Sequence, residues 1–461
     1  LLAQVINDEL LSAADPLPKG VERTPLVTIL SPEPTLSYSS NLGGSGGKVQ
    51  TGEGKVYEFH RIGEPLNTVA ARNPLDEATR TALNVRLKVE DSGSGVGICR
   101  LQRNRQTIHT FPSPSGSGPV YTMDATISLG LGRTELSAYC FAKDNVPGDA
   151  FRIIMQTEQE RSAVGTAYVI AIGIEDYTDD TLDLLYAKDD AALFADVLGA
   201  QVASSGRYQN VVPVLLKNDE ADRATLDAMF QILSGKSVSA PERARFSQLA
   251  PTGADDAVMM FVASHGEAVK GGYNLLLYDH TEATPSVISE DDLRRFFQDV
   301  SATDLMLIID ACQSEAAITA AGGRRTGPFN VESFAQLVYD KGLFFLAAAS
   351  EEDLALEVIQ YGHGLMSHAL LETGLLHGYA DRNPRDGVVT AQEFIEFPTI
   401  EVPLLHTALT RGQLPETDVA LARSGGRNIG RASDDKRFVQ TPQAHIPGYG
   451  FNTSFVIAGA N

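Results

Sequence analysis

The sequence predicts an α/β protein: a three-layer domain with a mostly parallel sheet, preceded by a small all-β domain. Three observations carry this. From residue 166 onward, short continuous apolar runs alternate with helix-patterned segments, as strands buried on both faces alternate with crossover helices. Between about residues 60 and 156, short alternating strands are separated by turn signals, the pattern of a small sandwich. Two of the apolar runs deliver reactive side chains at their ends: the run from Val258 leads to His265, and the run from Leu305 leads to Cys312.

Taken in order, residues 1–59 read as a lead-in, with a mobile Gly-rich loop from Asn41 to Lys55. In residues 60–156, Leu83 to Val89 alternates strictly and suits a half-buried strand. A Gly/Ser turn from Asp91 to Gly97 precedes Ile98 to Leu101, and Tyr121–Leu129 and Thr134–Ala142 are further strands. Residues 157–165 are a polar linker.

The second domain spans 166–461. Tyr168 to Ile174 is a continuous apolar, β-branched strand. Then follow a helix at Leu184–Leu198, a strand at Val211–Leu216, a helix at Ala221–Leu233 and a polar insertion before the Val258 strand. Asn274–Tyr278 suits an edge strand. Ser289-Glu290-Asp291-Asp292 is a capped start for a helix reaching Val300. The Leu305 strand, a helix near Val331–Tyr339, a strand at Leu343–Ala348 and a helix at Leu365–Thr373 complete the pattern.

Composition excludes several classes. Of 461 residues, 43% are hydrophobic and 21% charged, which is ordinary for a globular chain. No apolar run approaches the roughly 20 residues that span a bilayer, so no membrane partner is expected. A net charge of −22 argues against nucleic acid, whose phosphates need a basic face. Three cysteines do not make a disulfide framework; Cys99 and Cys140 read as core packing, and a reducing, cytoplasmic compartment is expected. Leu1 is not Met, which leaves a removed targeting segment open. No CxxC-type spacing offers a metal site. Asp381–Gly387 begins like an EF-hand loop, but its Gly falls at the seventh place rather than the sixth, so calcium is not expected there. His363 and His368, at i and i+5, make a poor helical metal pair and read as packing or surface residues.

A His and a Cys brought to one edge of a sheet can act as base and nucleophile. A thiol attacks a carbonyl only as thiolate, and an imidazole can hold the proton and return it to the leaving amine. Gly266 leaves room for a substrate backbone, and its N–H with that of Cys312 could bind the developing oxyanion, each such donor being worth about 3–4 kcal/mol. The reaction class is acyl transfer through a thioester.

At these residues the chain resembles the caspase-like cysteine peptidases, of bacterial metacaspase or orthocaspase type. The resemblance rests on Ala171–Ile174 with Tyr177, Leu185–Ala191, Ser264-His265-Gly266, Asp310–Ser314, Ala348–Ser350, Gly362–Leu365 and Asp386–Thr390. The His lies just under fifty residues before the Cys, as in the caspase signature. Departures are Ala187, Ala263, Gln313 and Glu315. The resemblance implies a caspase-like α/β/α sandwich behind an immunoglobulin-like module, with His265 and Cys312 as dyad. It also implies an acidic pocket of Asp190 and Asp310 that takes Arg or Lys before the scissile bond. A carboxylate pair is stabilised by a cationic guest and rejects an acidic one.

The basic loop Gly322–Gly327 lies where such enzymes carry a processing linker, so Arg324 or Arg325 could be cut by the enzyme itself. No cofactor is implied; calcium activates some metacaspases, but no residue here specifies it. Regulation, by a protein or ligand on the β module, and roles in cell death or antiphage defence are further implications. Two other readings stay open: a catalytically inactive scaffold whose β module binds a partner, and a caspase-clan peptidase of other specificity.

Overall fold

The structure is a computed structural model that describes residues 24–29, 47–50, 56–61, 82–115, 118–131, 133–148, 150–156, 163–269, 272–281, 283–313, 331–348, 356–359, 361–382, 384–410, 420–423, 426–431, 439–447 and 455–459. The N-terminal part builds two antiparallel sheets. One contains β1 (Leu26–Ile29), β4 (Leu83–Glu90) and β7 (Val120–Ile127). The other runs in the order β2 (Gly47–Gln50), β3 (Val56–Arg61), β9 (Phe151–Gln156), β8 (Arg133–Ala142), β5 (Val96–Arg103) and β6 (Gln106–Phe111). The strict alternation of Leu83–Val89 puts Leu83, Val85, Leu87 and Val89 into a shared core with Leu101, Leu136 and Ala138.

Two sequence expectations need correction here. The lead-in contributes strands: β1 pairs with β4, and β2 lies inside the stretch expected to be a mobile loop. Cys99 and Cys140 face each other across β5 and β8 and form a disulfide. Each is fully buried, as core packing requires, but direct cross-strand opposition brings the sulfurs together, a relation that spacing along the chain does not reveal. The inference of a reducing compartment rested on unpaired cysteines and loses that premise. Denatured without reductant, the protein is expected to titrate as one free thiol, rising to three after reduction; three before reduction would contradict the pairing.

The second part is built on an eight-stranded sheet. Its main path is β11 (Asn210–Lys217), β10 (Thr166–Gly173), β12 (Ala257–Val269), β15 (Asp304–Gln313), β16 (Leu343–Ala347) and β22 (Gln443–His445). The first five are mutually parallel and β22 is antiparallel. A hairpin of β13 (Gly272–Leu276) and β14 (Val287–Ser289) extends β12. Side chains alternate between two cores: Ala167, Val169 and Ala171 enter one, Tyr168, Ile170 and Ile172 the other.

Helix α1 (Ala187–Ser204) covers the first face, where Gly173 lets it approach β10 so closely that a Cβ would strike Ala187 O. Helices α2 (Arg223–Leu233), α4 (Glu290–Asp299) and α5 (Val331–Lys341) cover the second, with the short α3 (Ala240–Arg245) in the polar insertion. Ser289 and Asp292 form the capping box expected for α4. The segment expected as a helix from Leu365 starts as α6 (Leu365–Ser367) and continues as a π-helix over His368–Leu376.

Helix α7 (Ala391–Thr410) has Pro398 and Pro403 inside it. A small sheet joins β18 (His363–Gly364), β17 (Leu356–Val358), β20 (Ala420–Arg423) and β21 (Gly426–Arg431), and β19 (Val389–Thr390) pairs with β23 (Val456–Ala458). Among the described residues, no helix is long and apolar enough to cross a membrane.

The two parts meet at the start of the parallel strands. Buried Arg103 donates to Ser301 O at 3.0 Å and Thr303 Oγ1 at 2.9 Å, and Gln106 Nε2 donates to Ala302 O and Lys341 O. This is the end of β15 opposite Cys312.

Candidate active site

His265 sits near the carboxyl end of β12, after a run whose side chains from Val258 to Ala263 are all buried. The ring is fully enclosed. Two groups of the β10–α1 connection hold it. The backbone N–H of His265 donates to the Tyr177 hydroxyl at 2.8 Å, and ring Nε2 lies 2.7 Å from Leu182 O. A carbonyl only accepts, so Nε2 carries the proton and Nδ1 the lone pair. Nδ1 has no hydrogen-bond partner among the described residues. Burial lowers the pKa to about 4, against the opposing Leu182 bond, so the ring is neutral at physiological pH.

The connection itself is tied by further hydrogen bonds. Tyr177 N–H donates to Asp183 Oδ1, Thr178 N–H to Tyr278 O, and Asp179 caps the turn at Asp180–Leu182. In sequence Tyr177 is visible only as part of a motif, because its bond to His265 joins residues far apart in the chain. Tyr177→Phe is expected to leave the His265 N–H buried without that acceptor. The loss should be about 1–3 kcal/mol in denaturant unfolding, with any peptidase kcat lowered more than KM is raised.

Register places Cys312 of β15 directly opposite His265 of β12. The two strands are parallel neighbours, spaced about 4.8 Å apart in such sheets. The Cys312 backbone is described; its side chain is outside the described residues, as are Arg324 and Arg325. Gly266 follows in the ladder, opposite Leu275 and Gln313; the space left by its missing Cβ is taken by the buried Tyr273 hydroxyl, and not, as expected from sequence, left for a substrate backbone.

The structure brings Asp190 and Asp310 together. Asp310 lies two residues before Cys312 on β15, hence on the same face of the strand. Asp190 stands in the first turn of α1. Between them is Gly364: a Cβ on it would lie 2.8 Å from Asp190 Oδ2 and 3.2 Å from Asp310 Oδ2. The Gly364 N–H donates to Asp190 Oδ2 at 3.0 Å, and Ser367 Oγ donates to Asp310 Oδ2 at 2.8 Å. Burial, then the neighbouring Asp190 charge, pushes Asp310 up to about 7.

His363, expected to be packing or surface, is a member of this cluster. Its Nδ1 is 2.8 Å from Asp190 Oδ1, and that bond raises its pKa while its own burial opposes. Burial raises Asp190 as well, against the opposing bonds from His363 and Gly364. The spacing of His363 to His368 posed a metal question and concealed this partnership. His368 stacks on Tyr361 at 3.8 Å, with Nδ1 3.0 Å from Glu372 Oε2. Among the described residues, no group of three His, Cys, Asp or Glu is arranged to hold a metal ion. In the EF-hand-like loop, the Asp381 carboxylate accepts N–H groups of Asp386 and Gly387.

A side chain at position 364 would fill the space between the acids. Gly364→Val is therefore expected to lower kcat/KM for peptides with Arg or Lys before the scissile bond by at least about 10²-fold, while Cys312 alkylation by iodoacetamide is retained.

Residues 166–378 match the family description "caspase domain". That match supports a caspase-like cysteine peptidase, a hydrolase acting on protein substrates. It spans the sheet from β10 to β16, His265, Cys312, both acids and His363, and ends before α7. No curated protein matches the chain. Among solved structures, chicken MD-1 complexed with lipid IVa is 10% identical over 25% of this chain and 98% of that one, with a TM-score of 0.17. A polysaccharide deacetylase from Bacillus cereus is 9% identical over 64% and 69%, with a TM-score of 0.16. Superpositions this poor bear on neither fold nor ligand.

Proposed function

We propose that this protein is a cysteine endopeptidase that cuts after Arg or Lys, with Cys312 as nucleophile and His265 as base. The observation that carries this reading is the direct opposition of His265 and Cys312 on neighbouring strands, two residues beyond the Asp310 that faces Asp190. The orientation of His265 supports it: Nε2 is occupied by Leu182 O, and Nδ1 is the nitrogen left to take a proton.

In this mechanism the Cys312 thiol gives its proton to His265 Nδ1, and the thiolate attacks the scissile carbonyl carbon. The oxyanion is met by backbone N–H groups of Gly266 and Cys312. The imidazolium then protonates the leaving amine as the C–N bond breaks, leaving a thioester. Water, losing a proton to Nδ1, adds to the thioester; the C–S bond breaks and thiolate takes the proton back through His265. A free imidazole at about 4 is a weak base, but an adjacent thiolate stabilises the imidazolium and draws that value up.

Asp190 and Asp310 supply the pocket for the basic side chain. Such a guest pairs with ionised Asp310, so kcat/KM for basic peptides is expected to rise with pH through about 7. A peptide panel varied only before the scissile bond tests the reading. Cleavage after Arg and Lys and none after Asp or Leu is expected. Preference for Asp, or no cleavage of any peptide by folded protein whose Cys312 is alkylatable, would overturn it.

A further inference from the structure

Glu357 is a carboxylate beside the pocket that the mechanism above does not use. It lies on β17, opposite Gly364 of β18. Opposed residues of an antiparallel pair project to the same face, and the absent Cβ of Gly364 points at Asp190 and Asp310. Glu357 is thus on the side where the two acids sit. Its Oε1 accepts the N–H groups of Leu185 and Tyr186, each at 3.0 Å. Tyr186 O then accepts the Asp190 N–H at 2.8 Å, and Asp190 accepts the Gly364 N–H. Pairing of β17 with β18 closes the ring back to Glu357. Three residues before Leu185 stands Leu182, whose carbonyl orients His265.

We propose that Glu357 is a positioning residue: by clamping Leu185 and Tyr186 it holds the base His265 and the pocket acid Asp190 in fixed relation. The proposal rests on the reading that His265 and Cys312 cut beside a basic residue. The clamp sits where the β10–α1 connection, which cradles His265, becomes the helix that carries Asp190. Loosening it moves both together. Burial pushes Glu357 up to about 7, the two backbone bonds opposing. The titratable groups that interact with it are Asp190, Glu175, Asp310 and Tyr186.

The test compares Glu357→Ala, Glu357→Asp and Glu357→Gln in the full chain, with active sites counted by iodoacetamide and folding checked by thermal melts. Glu357→Asp keeps the charge but withdraws it by one methylene; Glu357→Gln keeps the Oε1 acceptor without the charge. Ala and Asp are expected to lose about 10²-fold in kcat/KM for an Arg peptide, with kcat lowered and KM raised together. Gln is expected to stay within a few-fold, with the acid limb of its pH profile moved lower, because Asp310 has lost a negative neighbour. Wild-type kinetics in Ala and Asp, or a Gln variant as impaired as Ala, would overturn the clamp. Failure of the underlying peptidase reading looks different: the unmodified protein itself would not cleave.

Discussion

Replacing His265 by glutamine is expected to lower kcat toward an Arg peptide by about four orders of magnitude or more, while the protein stays folded. The chemistry explains the size. Without a base, Cys312 depends on its small thiolate fraction, and the leaving amine departs unprotonated. Glutamine is the informative choice because its side-chain amide can still donate to Leu182 O, the partner of Nε2. An alanine would also open a cavity at a fully enclosed position and leave that carbonyl unmatched, at about 1–3 kcal/mol for the carbonyl alone. A folded His265→Gln enzyme with more than a few per cent of its activity would exclude His265 as base.

Asp310→Asn is expected to separate activity from stability. Cleavage after Arg and Lys should fall by at least about 10²-fold, because the guest loses its ionisable partner while Ser367 can still donate to the amide oxygen. Stability should move the other way. The Asp310 carboxyl is an acid raised in the fold from an ordinary value near 4 to about 7. Between those values the folded state keeps a proton that the unfolded chain gives up, so stability falls as pH rises from about 4 to about 7 and stays lower above. Asparagine removes that penalty. The variant should therefore unfold at higher denaturant than wild type at pH 8, by up to about 4 kcal/mol, and the gain should vanish near pH 4. A variant less stable at pH 8 would show that the Asp310 charge is not held at a cost.

Much of the sheet was legible because burial on both faces writes itself into sequence. The apolar runs Tyr168–Ile174, Val258–Ala263 and Leu305–Ile309 all form strands, the first ending at Gly173. Two of these runs lead to His265 and Cys312, which stand opposite each other in register. What sequence hid was any role that depends on backbone or register. The Leu182 carbonyl that fixes the His265 tautomer leaves no mark on residue 182. Glu357 matters through a strand of three residues paired with one of two, below the length at which alternation can be read. Cys99 and Cys140 meet only because β5 and β8 pair in that register. Helix α7 escaped because two prolines lie within it, and proline ordinarily marks a helix end.

In the proposed mechanism one imidazole activates one sulfur across two adjacent strands. The most direct measurement is the pH dependence of Cys312 alkylation by iodoacetamide, in wild type and in His265→Gln. Wild type is expected to show a thiolate forming well below the ordinary value near 8.5, and His265→Gln to move that midpoint back up toward it. Identical profiles in the two proteins would contradict the pairing of His265 with Cys312.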